Sequence, residues 1–352
     1  MAGVLDGVTV IELAGIGPGP FCGMMLADHG ARVIRVERPG TSGRFGDGGN
    51  RDILNRNRER IELDLKDPAA VTKLKELVAE ADALIEGYRP GVIERMGIGP
   101  DVLLAINPKF VIGRMTGWGQ DGPMAPLAGH DINYIALSGA LHSYGRAGQK
   151  PTFPVNAVGD FGGGGMLLAF GVVAGVLHAR GGGQGQVVDA AMVDGAAILS
   201  AMTYTFLGNG QWRDERGVNL LDSGTHFYDT YETSDGKWIS LGSIEPQFYA
   251  LLLEKTGLSG DPDFAQQMNP AQWGPLKDRM TALILTRTRD EWCAIMDDTD
   301  ICFAPVLSLR EAPKHPHNVA RQTFVEDGGL VQPAPAPRFS ATPAPPVSLS
   351  GR

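Results

Sequence analysis

Short apolar runs, separated by longer segments with helical periodicity, dominate the first half of the chain. Six of these runs have the length and composition of buried strands: residues 8–13, 32–36, 61–65, 83–86, 110–114 and 187–189. Helices are predicted between them, for example over 21–29, which Gly30 ends, and over 67–80, which Asp67 and Pro68 open. Repeated β-α-β units predict an α/β fold with a Rossmann-like parallel sheet and with ligands at the carboxyl ends of its strands.

The pattern changes in the second half, where strands pair with near neighbours. Residues 227–233 and 237–242 flank Ser234-Asp235-Gly236 and predict a β-hairpin. Helices are predicted over 245–256, 276–286 and 288–297. We divide the chain into a large domain (1–189, completed by the C-terminal segment 335–352), a linker (190–227), a smaller α+β domain (228–312) and a return linker (313–334). Six prolines between Pro333 and Pro346 predict an extended tail laid over the large domain.

The composition narrows the possible partners and locations. The chain has 352 residues, which suggests two domains, and its net charge of −9 argues against nucleic acid or an anionic membrane as the main partner. The longest apolar run, residues 166–178, is broken by Gly171 and Gly175 and is predicted to be too short to insert into a membrane. Three widely spaced cysteines, no secretion signal and no zinc-like histidine spacing predict a cytoplasmic protein without disulfides or a metal.

One basic stretch stands out in this acidic chain. Residues 32–60 contain eight arginines and only four acidic residues. The arginines are Arg32, Arg35, Arg38, Arg44, Arg51, Arg56, Arg58 and Arg60. Because the guanidinium fork suits phosphate, the stretch indicates a site for an anionic ligand. On charge alone, a solvated loop with local ion pairs is an equally good interpretation.

The turn Gly15-Ile16-Gly17-Pro18-Gly19-Pro20 separates the first predicted strand from the first helix. With Glu37 further along, it has some features of a dinucleotide-binding fingerprint. The fit is poor, because two prolines remove amide donors that a pyrophosphate would use and Arg38 directly follows the supposed ribose-binding acid. We interpret the segment as a tight structural turn.

A histidine and an aspartate lie at two glycine-bounded helix starts. His130 follows Gly129, and the positive end of the helix after it favours a neutral imidazole that can accept a proton. Asp160 precedes the glycines 162–165 and a second apolar helix, where backbone N–H groups without a Cβ nearby are expected to meet a carbonyl oxygen. If such a base and a protonated acid lie on opposite sides of one carbon, the base removes its proton and the acid adds one to the other face, which inverts the configuration. Taken singly, each residue is more simply explained as a helix-start residue or cap.

Several motifs closely resemble those of the family III CoA transferases and, within that superfamily, those of its racemase branch. They are Leu54-Asn55-Arg56-Asn57-Arg58, Leu63-Asp64-Leu65-Lys66, Ile85-Glu86-Gly87-Tyr88-Arg89-Pro90-Gly91, Glu94-Arg95-Met96-Gly97, Thr116-Gly117-Trp118-Gly119-Gln120, the segment from Gly129 to Tyr134, and Ile244-Glu245-Pro246-Gln247-Phe248-Tyr249. The likeness runs from about Val4 to Arg338. It implies a CoA site at Arg38, Leu63, Asp64, Leu65, Lys66, Gly87, Tyr88, Arg89, Arg95, Gly129, His130, Asp131, Ile132, Asn133 and Tyr134.

The resemblance also implies a reaction. It predicts an isomerase that interconverts (2R)- and (2S)-2-methylacyl-CoA thioesters through an enolate, with His130 and Asp160 as the two bases and coenzyme A as part of the substrate rather than a cofactor. Glu245 matches a glutamate that contacts the catalytic histidine across a dimer interface. An interlocked homodimer is therefore expected, with Glu245 fixing the histidine tautomer.

Two other functions stay open. In the transferases of the same superfamily the residue matching Asp160 is a nucleophile that forms a mixed anhydride, so CoA transfer is one alternative. A non-catalytic CoA-binding protein is the other. The preferred acyl group is not predicted. Four methionines indicate either an apolar surface for the acyl chain or ordinary core packing: Met96, Met115, Met192 and Met202.

Overall fold

The structure, a computed structural model, describes residues 3–40 and 51–351, which form two compact units. The first unit comprises the chain up to residue 140, residues 154–201 and the chain from 319 onward, and the second comprises residues 141–153 and 202–318. Arg44 of the basic stretch lies outside the described residues. The division into functional domains and linkers stays a prediction.

Six parallel strands form the sheet of the first unit within the described part of the chain, in the order β3-β2-β1-β4-β5-β6. Their bounds are β1 (Thr9–Leu13), β2 (Arg32–Glu37), β3 (Glu59–Glu62), β4 (Ala83–Glu86), β5 (Val111–Thr116) and β6 (Gln186–Ala191). All six predicted strands are present, and the α/β fold with a Rossmann-like sheet is confirmed. The strand order reverses between β1 and β4, and in open α/β sheets this is the position at which ligands bind, at the carboxyl ends of the strands.

Helices cover both faces of this sheet. They are α1 (Pro18–Asp28), α2 (Pro68–Glu80), α3 (Val92–Arg95), α4 (Pro100–Ile106), α5 (Asp131–Leu137), α7 (Leu167–Arg180) and α8 (Met192–Leu199). Two further helices, α6 (Ala140–Ser143) and α9 (Ala201–Gly208), belong almost wholly to the second unit. Alternate residues of β1 serve the two faces, as strand geometry requires. Val10 joins a buried cluster with Leu26 and Leu168, whereas Ile11 joins another with Leu74.

The strand predicted over 61–65 has different bounds in the structure, where β3 runs from Glu59 to Glu62. Beyond Leu63, whose N–H donates to the Glu37 carbonyl, the chain turns, with Asp67 N–H bonded to the Asp64 carbonyl at 2.7 Å. The chain after Met192 forms two helices, since α8 ends at Leu199 and α9 begins at Ala201.

The helix that carries the glycine run is longer than the apolar run predicted from the sequence. Residues 157–166 form helical turns of the wide i→i+5 type and continue directly into α7. The combined helix, Ala157–Arg180, has 24 residues and is long and apolar enough to cross a membrane by length and composition. The prediction that this segment is too short was therefore wrong, because its glycines do not interrupt the helix. It packs on β5 and β6, and core helices of soluble proteins meet the same criterion.

The second unit has an antiparallel sheet with three helices around it. Its strands are β7 (Tyr228–Glu232), β8 (Trp238–Gly242) and β9 (Phe303–Val306), in that order, and its helices are α10 (Pro246–Thr256), α11 (Pro270–Ile284) and α12 (Arg289–Met296). The predicted hairpin is present as β7 and β8. β9 was not predicted, and α11 starts six residues earlier than expected because the Asn269 side chain caps it by accepting the Ala271 N–H.

The C-terminal region is bonded to the first unit. A short helix α13 (Pro316–Ala320) and a hairpin of β10 (Phe324–Asp327) and β11 (Leu330–Pro333) were not predicted. Beyond them, Asn57 N–H donates to the Ser348 carbonyl and Ser348 N–H donates to Asn57 Oδ1, both at 2.8 Å. Arg56 Nη1 donates to the Pro333 carbonyl at 2.7 Å. The tail is therefore part of the packed unit.

Candidate active site

The carboxyl ends of neighbouring strands carry most residues expected at the CoA site. Arg38 follows β2, the segment 63–66 follows β3, the segment 87–89 follows β4, and Arg95 ends α3 shortly afterwards. Because parallel strands end at the same edge of a sheet, these segments share one edge. Their cationic side chains are exposed, as access for a phosphate-bearing ligand requires.

A buried ion network supports the loop after β4. Tyr88 N–H donates to Glu86 Oε2 at 2.7 Å, Arg114 Nε donates to Glu86 Oε1 at 2.8 Å, and Arg114 Nη1 donates to Glu94 Oε1 at 2.7 Å. Burial raises the pKa of the Glu86 carboxyl, although Arg114 and the Tyr88 amide oppose the shift. This network was not predicted, and its only sequence signal is one charged residue in each of two apolar strands.

His130 is the N-cap of α5, as its position in the sequence predicts. Its N–H donates to Asn133 Oδ1 at 3.0 Å, and its carbonyl accepts the N–H of Asn133 at 2.8 Å. These two bonds fix the backbone at the helix start. The imidazole is left exposed, so a ligand can reach it.

Asp160 lies beside α5, four residues beyond Asn156. Its N–H donates to Asp131 Oδ1 at 2.8 Å, and its Oδ2 accepts a bond from Asn156 Nδ2 at 3.0 Å. Burial raises the pKa of the Asp160 carboxyl, Asn156 lowers it, the negative charge of Asp131 raises it and His130 lowers it, with a net rise. The bond from the Asp160 N–H to Asp131, the first residue of α5, brings Asp160 to the start of the helix that His130 caps.

Tyr134 lies one helical turn after His130 on α5. Burial raises the pKa of its phenol to about 12, and the nearby charge of Asp160 adds to the rise. Its ring meets that of Trp118 edge to face, with centroids 4.8 Å apart. A Cβ on Gly129 would lie 2.7 Å from the Tyr134 ring, and one on Gly117 would lie closer still. The glycines of these two motifs are therefore needed for the tyrosine to fit.

The glycine-proline turn before α1 borders the Asp160 carboxylate. Gly17 is the N-cap of α1 with φ of 68° and ψ of −117°, a backbone conformation that is essentially confined to glycine. A Cβ on Gly17 would lie 3.5 Å from Asp160 Oδ2. The sequence predicted only a tight turn, and this contact was missed because the two residues are far apart in the chain.

The sequence model of CoA-transferase family III matches residues 5–349. The chain belongs to this family. It is 46% identical to alpha-methylacyl-CoA racemase from Mus musculus, over 97% of this chain and 88% of that protein, and 43% identical to alpha-methylacyl-CoA racemase from Homo sapiens, over 97% and 87%. Its fold is similar to the crystal structure of a CaiB/BaiF family protein from Brucella suis, with a TM-score of 0.81 at 26% identity, covering 100% of this chain and 96% of that one.

In this family III chain the glycine run after Asp160 serves helix packing. A Cβ on Gly163 would lie 2.7 Å from the Ala196 backbone nitrogen of α8, and a Cβ on Gly165 would lie 2.8 Å from the Pro18 carbonyl of α1. The Asp160 N–H is already bonded to Asp131. The expectation that these amides meet a carbonyl oxygen was therefore wrong for Asp160 and for the buried glycines.

Most described arginines of the basic stretch are engaged within the protein, so the expected phosphate role is wrong for them. The pairs are Arg32 with Glu59, Arg35 with Glu12 and Glu37, Arg56 with Asp28, Arg58 with Glu12, and Arg60 with Glu37. The acidic partners at positions 12 and 28 lie outside the stretch, so a local charge count does not include them. Arg38 and Arg51 remain exposed.

The remaining predictions concern Glu245, the methionines and a metal site. Glu245 is the exposed N-cap of α10 in the second unit. Met115 and Met192 belong to a buried cluster of the first unit, so they are core, whereas Met202 is 55% exposed. Among residues 3–40 and 51–351, no group of three or more histidine, cysteine or acidic side chains is arranged to hold a metal ion.

Proposed function

We propose that this chain is a racemase that interconverts (2R)- and (2S)-2-methylacyl-CoA thioesters. Two mammalian relatives, matched over 97% of the chain, carry the name alpha-methylacyl-CoA racemase. The observation that carries the proposal at the site is the convergence of α5, with His130 at its start, on the helix that holds Asp160. The exposed imidazole is accessible to a substrate, and burial raises the pKa of the Asp160 carboxyl, which favours its use as a proton donor.

The reaction needs only one proton to leave and one to return. Neutral His130 removes the α-proton, the Cα–H bond breaks, and its electron pair passes to the thioester oxygen as an enolate. Asp160 then gives its proton to the opposite face of the same carbon, and the carbonyl re-forms. The pair ends as imidazolium and carboxylate, so the reverse reaction starts from that form.

Substrate binding is assigned to the loops at the carboxyl edge of the sheet. Arg38, Lys66, Arg89 and Arg95 supply positive charge for the phosphates of coenzyme A, which enters as part of the substrate. Proton transfer balances without an electron carrier, so the proposed reaction needs no redox cofactor. A cytoplasmic location stays a prediction.

Exchange of the α-hydrogen in D₂O tests the proposal. A single enantiomer of a 2-methylacyl-CoA thioester should racemise and take up deuterium at Cα without any acceptor acid. His130→Ala and Asp160→Ala should each abolish racemisation while the dissociation constant for CoA changes little. Full activity in either variant would show that the assigned pair does not perform the chemistry.

CoA transfer is the second candidate, because the matched family is named for it. In that reaction the Asp160 carboxylate attacks the thioester carbonyl, CoA leaves as the thiolate, and a mixed anhydride remains. Burial raises the pKa of the Asp160 carboxyl, and a higher proton affinity favours its use as a proton donor over its use as a nucleophilic carboxylate. Hydroxylamine inactivation that depends on acyl-CoA, together with no α-hydrogen exchange, would establish the transferase instead.

We also propose that the protein is a homodimer. Met166, Phe170, Val173 and Leu177 follow the spacing i, i+4, i+7, i+11 and are 38% to 73% exposed on one side of their helix. Ile198 of α8 lines an apolar groove together with the first two of them. A second copy that presents the same face covers this surface, as two-fold symmetry allows. In such a dimer the partner subunit's Glu245 orients His130.

Mixing inactive variants tests the shared site. If Glu245 acts on the other subunit, His130→Ala and Glu245→Ala subunits mixed in equal amounts re-form one complete site in each mixed dimer. About a quarter of the wild-type activity should then return. No recovery, together with an active monomer in light scattering, would exclude the shared site.

A further inference from the structure

Asp131 has a buried carboxylate beside Asp160 that the proton transfer itself does not use. Only 6% of the residue is exposed, and its Oδ1 accepts the Asp160 N–H at 2.8 Å. Within the described residues its Oδ2 is buried and has no hydrogen-bond partner. A buried carboxylate with one unpaired oxygen destabilises the folded state, so the presence of Asp131 here needs a reason other than the start of α5.

The Asp131 carboxylate lies close to the backbone at Gly159. A Cβ on Gly159 would lie 2.6 Å from Asp131 Oδ1, so a glycine is required just before Asp160. The start of α5 is capped by His130 and Asn133 without the Asp131 side chain. The Asp131 side chain therefore acts on the Asp160 backbone rather than on its own helix.

Few charged groups can influence Asp160. The titratable and charged groups on the elements packed around its helix are His130, Asp131 and Tyr134 on α5, Asp28 on α1, Asp194 on α8, Arg114 on β5, Asp189 on β6 and Arg89 after β4. Asp28 and Arg114 are neutralised by ion pairs, and Asp194 is exposed. Asp131 is the negative charge that favours the protonated form of Asp160, against the opposing effect of His130.

We propose that Asp131 is a positioning residue that holds the Asp160 backbone and whose negative charge keeps the shared proton on Asp160 before substrate binds. The inference rests on the proposed racemase function. With one proton on the pair, the choice lies between neutral His130 with protonated Asp160 and imidazolium with carboxylate. A negative charge next to Asp160 favours the first form, in which His130 is the base.

The pH profile of kcat/KM shows this effect, whereas a purely structural role would not move it. Activity requires that the pair hold one proton, so the acid limb reports gain of a second proton and the alkaline limb reports loss of the only one. Removing a nearby negative charge lowers the proton affinity of both groups. In Asp131→Asn both limbs should move to lower pH, by about one unit for a close charge.

The experiment compares Asp131→Asn with Asp194→Asn, which removes an equal charge from an exposed helix start. Deuterium uptake from D₂O into a 2-methylacyl-CoA thioester is measured from pH 5 to pH 10, and CoA binding is measured by calorimetry. Asp194→Asn should keep the wild-type profile. If Asp131→Asn does not fold, Asp131→Ser gives a smaller neutral side chain that can still accept the Asp160 N–H.

Each outcome decides the inference. A shift of both limbs of the kcat/KM profile to lower pH supports it. Unmoved limbs in a folded neutral variant overturn it, even if kcat falls. No deuterium uptake by the wild-type protein at any pH would instead overturn the racemase proposal itself, so the two failures are distinguishable.

Discussion

Gly163→Ala should disturb the site without touching any of the predicted catalytic residues. A Cβ at this position would lie 2.7 Å from the Ala196 nitrogen and 2.7 Å from the Gly195 carbonyl carbon of α8. Ordinary contact between such atoms is about 3.5 Å, so the helices must separate by roughly 0.8 Å. The obstacle is backbone, so no rotamer change relieves it. Overpacking of this kind destabilises a protein by about 1–3 kcal/mol.

The same displacement moves Asp160, which lies one turn earlier on that helix. A misplacement of about 1 Å costs on the order of 100-fold in rate. We therefore expect kcat for racemisation to fall by about that factor, while KM changes little because the loops proposed to bind CoA follow other strands. Urea denaturation measures the stability, and deuterium exchange measures the rate.

A matched control is Gly208→Ala, an exposed helical position with nothing within 4 Å of the new Cβ. Alanine there should leave kcat unchanged and add up to about 1 kcal/mol of stability. The packing argument would be refuted if Gly163→Ala kept both the stability and the kcat of the wild-type protein.

Three further predictions concern ionisation and buried charge. Burial raises the pKa of Asp160, so the folded protein loses stability as pH rises from the ordinary pKa of an aspartate to the raised one. Asp160→Asn should therefore raise Tm at pH 7 but not at pH 3, and an equal change at both pH values would contradict this. Arg56→Met leaves the buried Asp28 charge unpaired and should lower the free energy of unfolding in urea by about 3–5 kcal/mol; a loss below 1 kcal/mol would show that the pair is dispensable. Burial lowers the pKa of His226 to about 4, so stability should fall as pH drops from about 6.5 towards 4. His226→Gln should flatten that fall in pH-dependent melting curves, and an unchanged slope would assign the acid sensitivity elsewhere.

The parallel sheet was predictable because strands buried on both faces must be continuous apolar runs. The strand β9 was not, because Phe303 and Ala304 alternate in exposure and Pro305 weakens the pattern, so only tertiary pairing with β8 defines it. Similarly, the helix from Ala157 was predicted too short, since glycine is a poor helix former unless close packing requires it.

At the site, His130 and Asp160 were assigned as the two proton carriers from their glycine-bounded positions and from family resemblance, and their catalytic roles stay a prediction. The partners of the arginines were not predicted, because Glu12 and Asp28 are distant in sequence and meet Arg58 and Arg56 only in the folded sheet. The contacts of Asp160 with Asp131 and Gly17 likewise depend on how separate segments converge. Local sequence patterns identify residues with suitable chemistry, whereas their ion-pair partners depend on how distant segments meet in the folded unit.

The bonds between Asn57 and Ser348 bear on how the chain matures during synthesis. Residues from 319 onward complete the contacts of Arg56 and Asn57. The first unit therefore stays incomplete on the ribosome until that stretch has emerged. Most of the second unit, residues 202–318, is contiguous and emerges earlier. Translation order therefore favours a nascent chain whose antiparallel sheet is formed while its first unit still lacks the C-terminal segment.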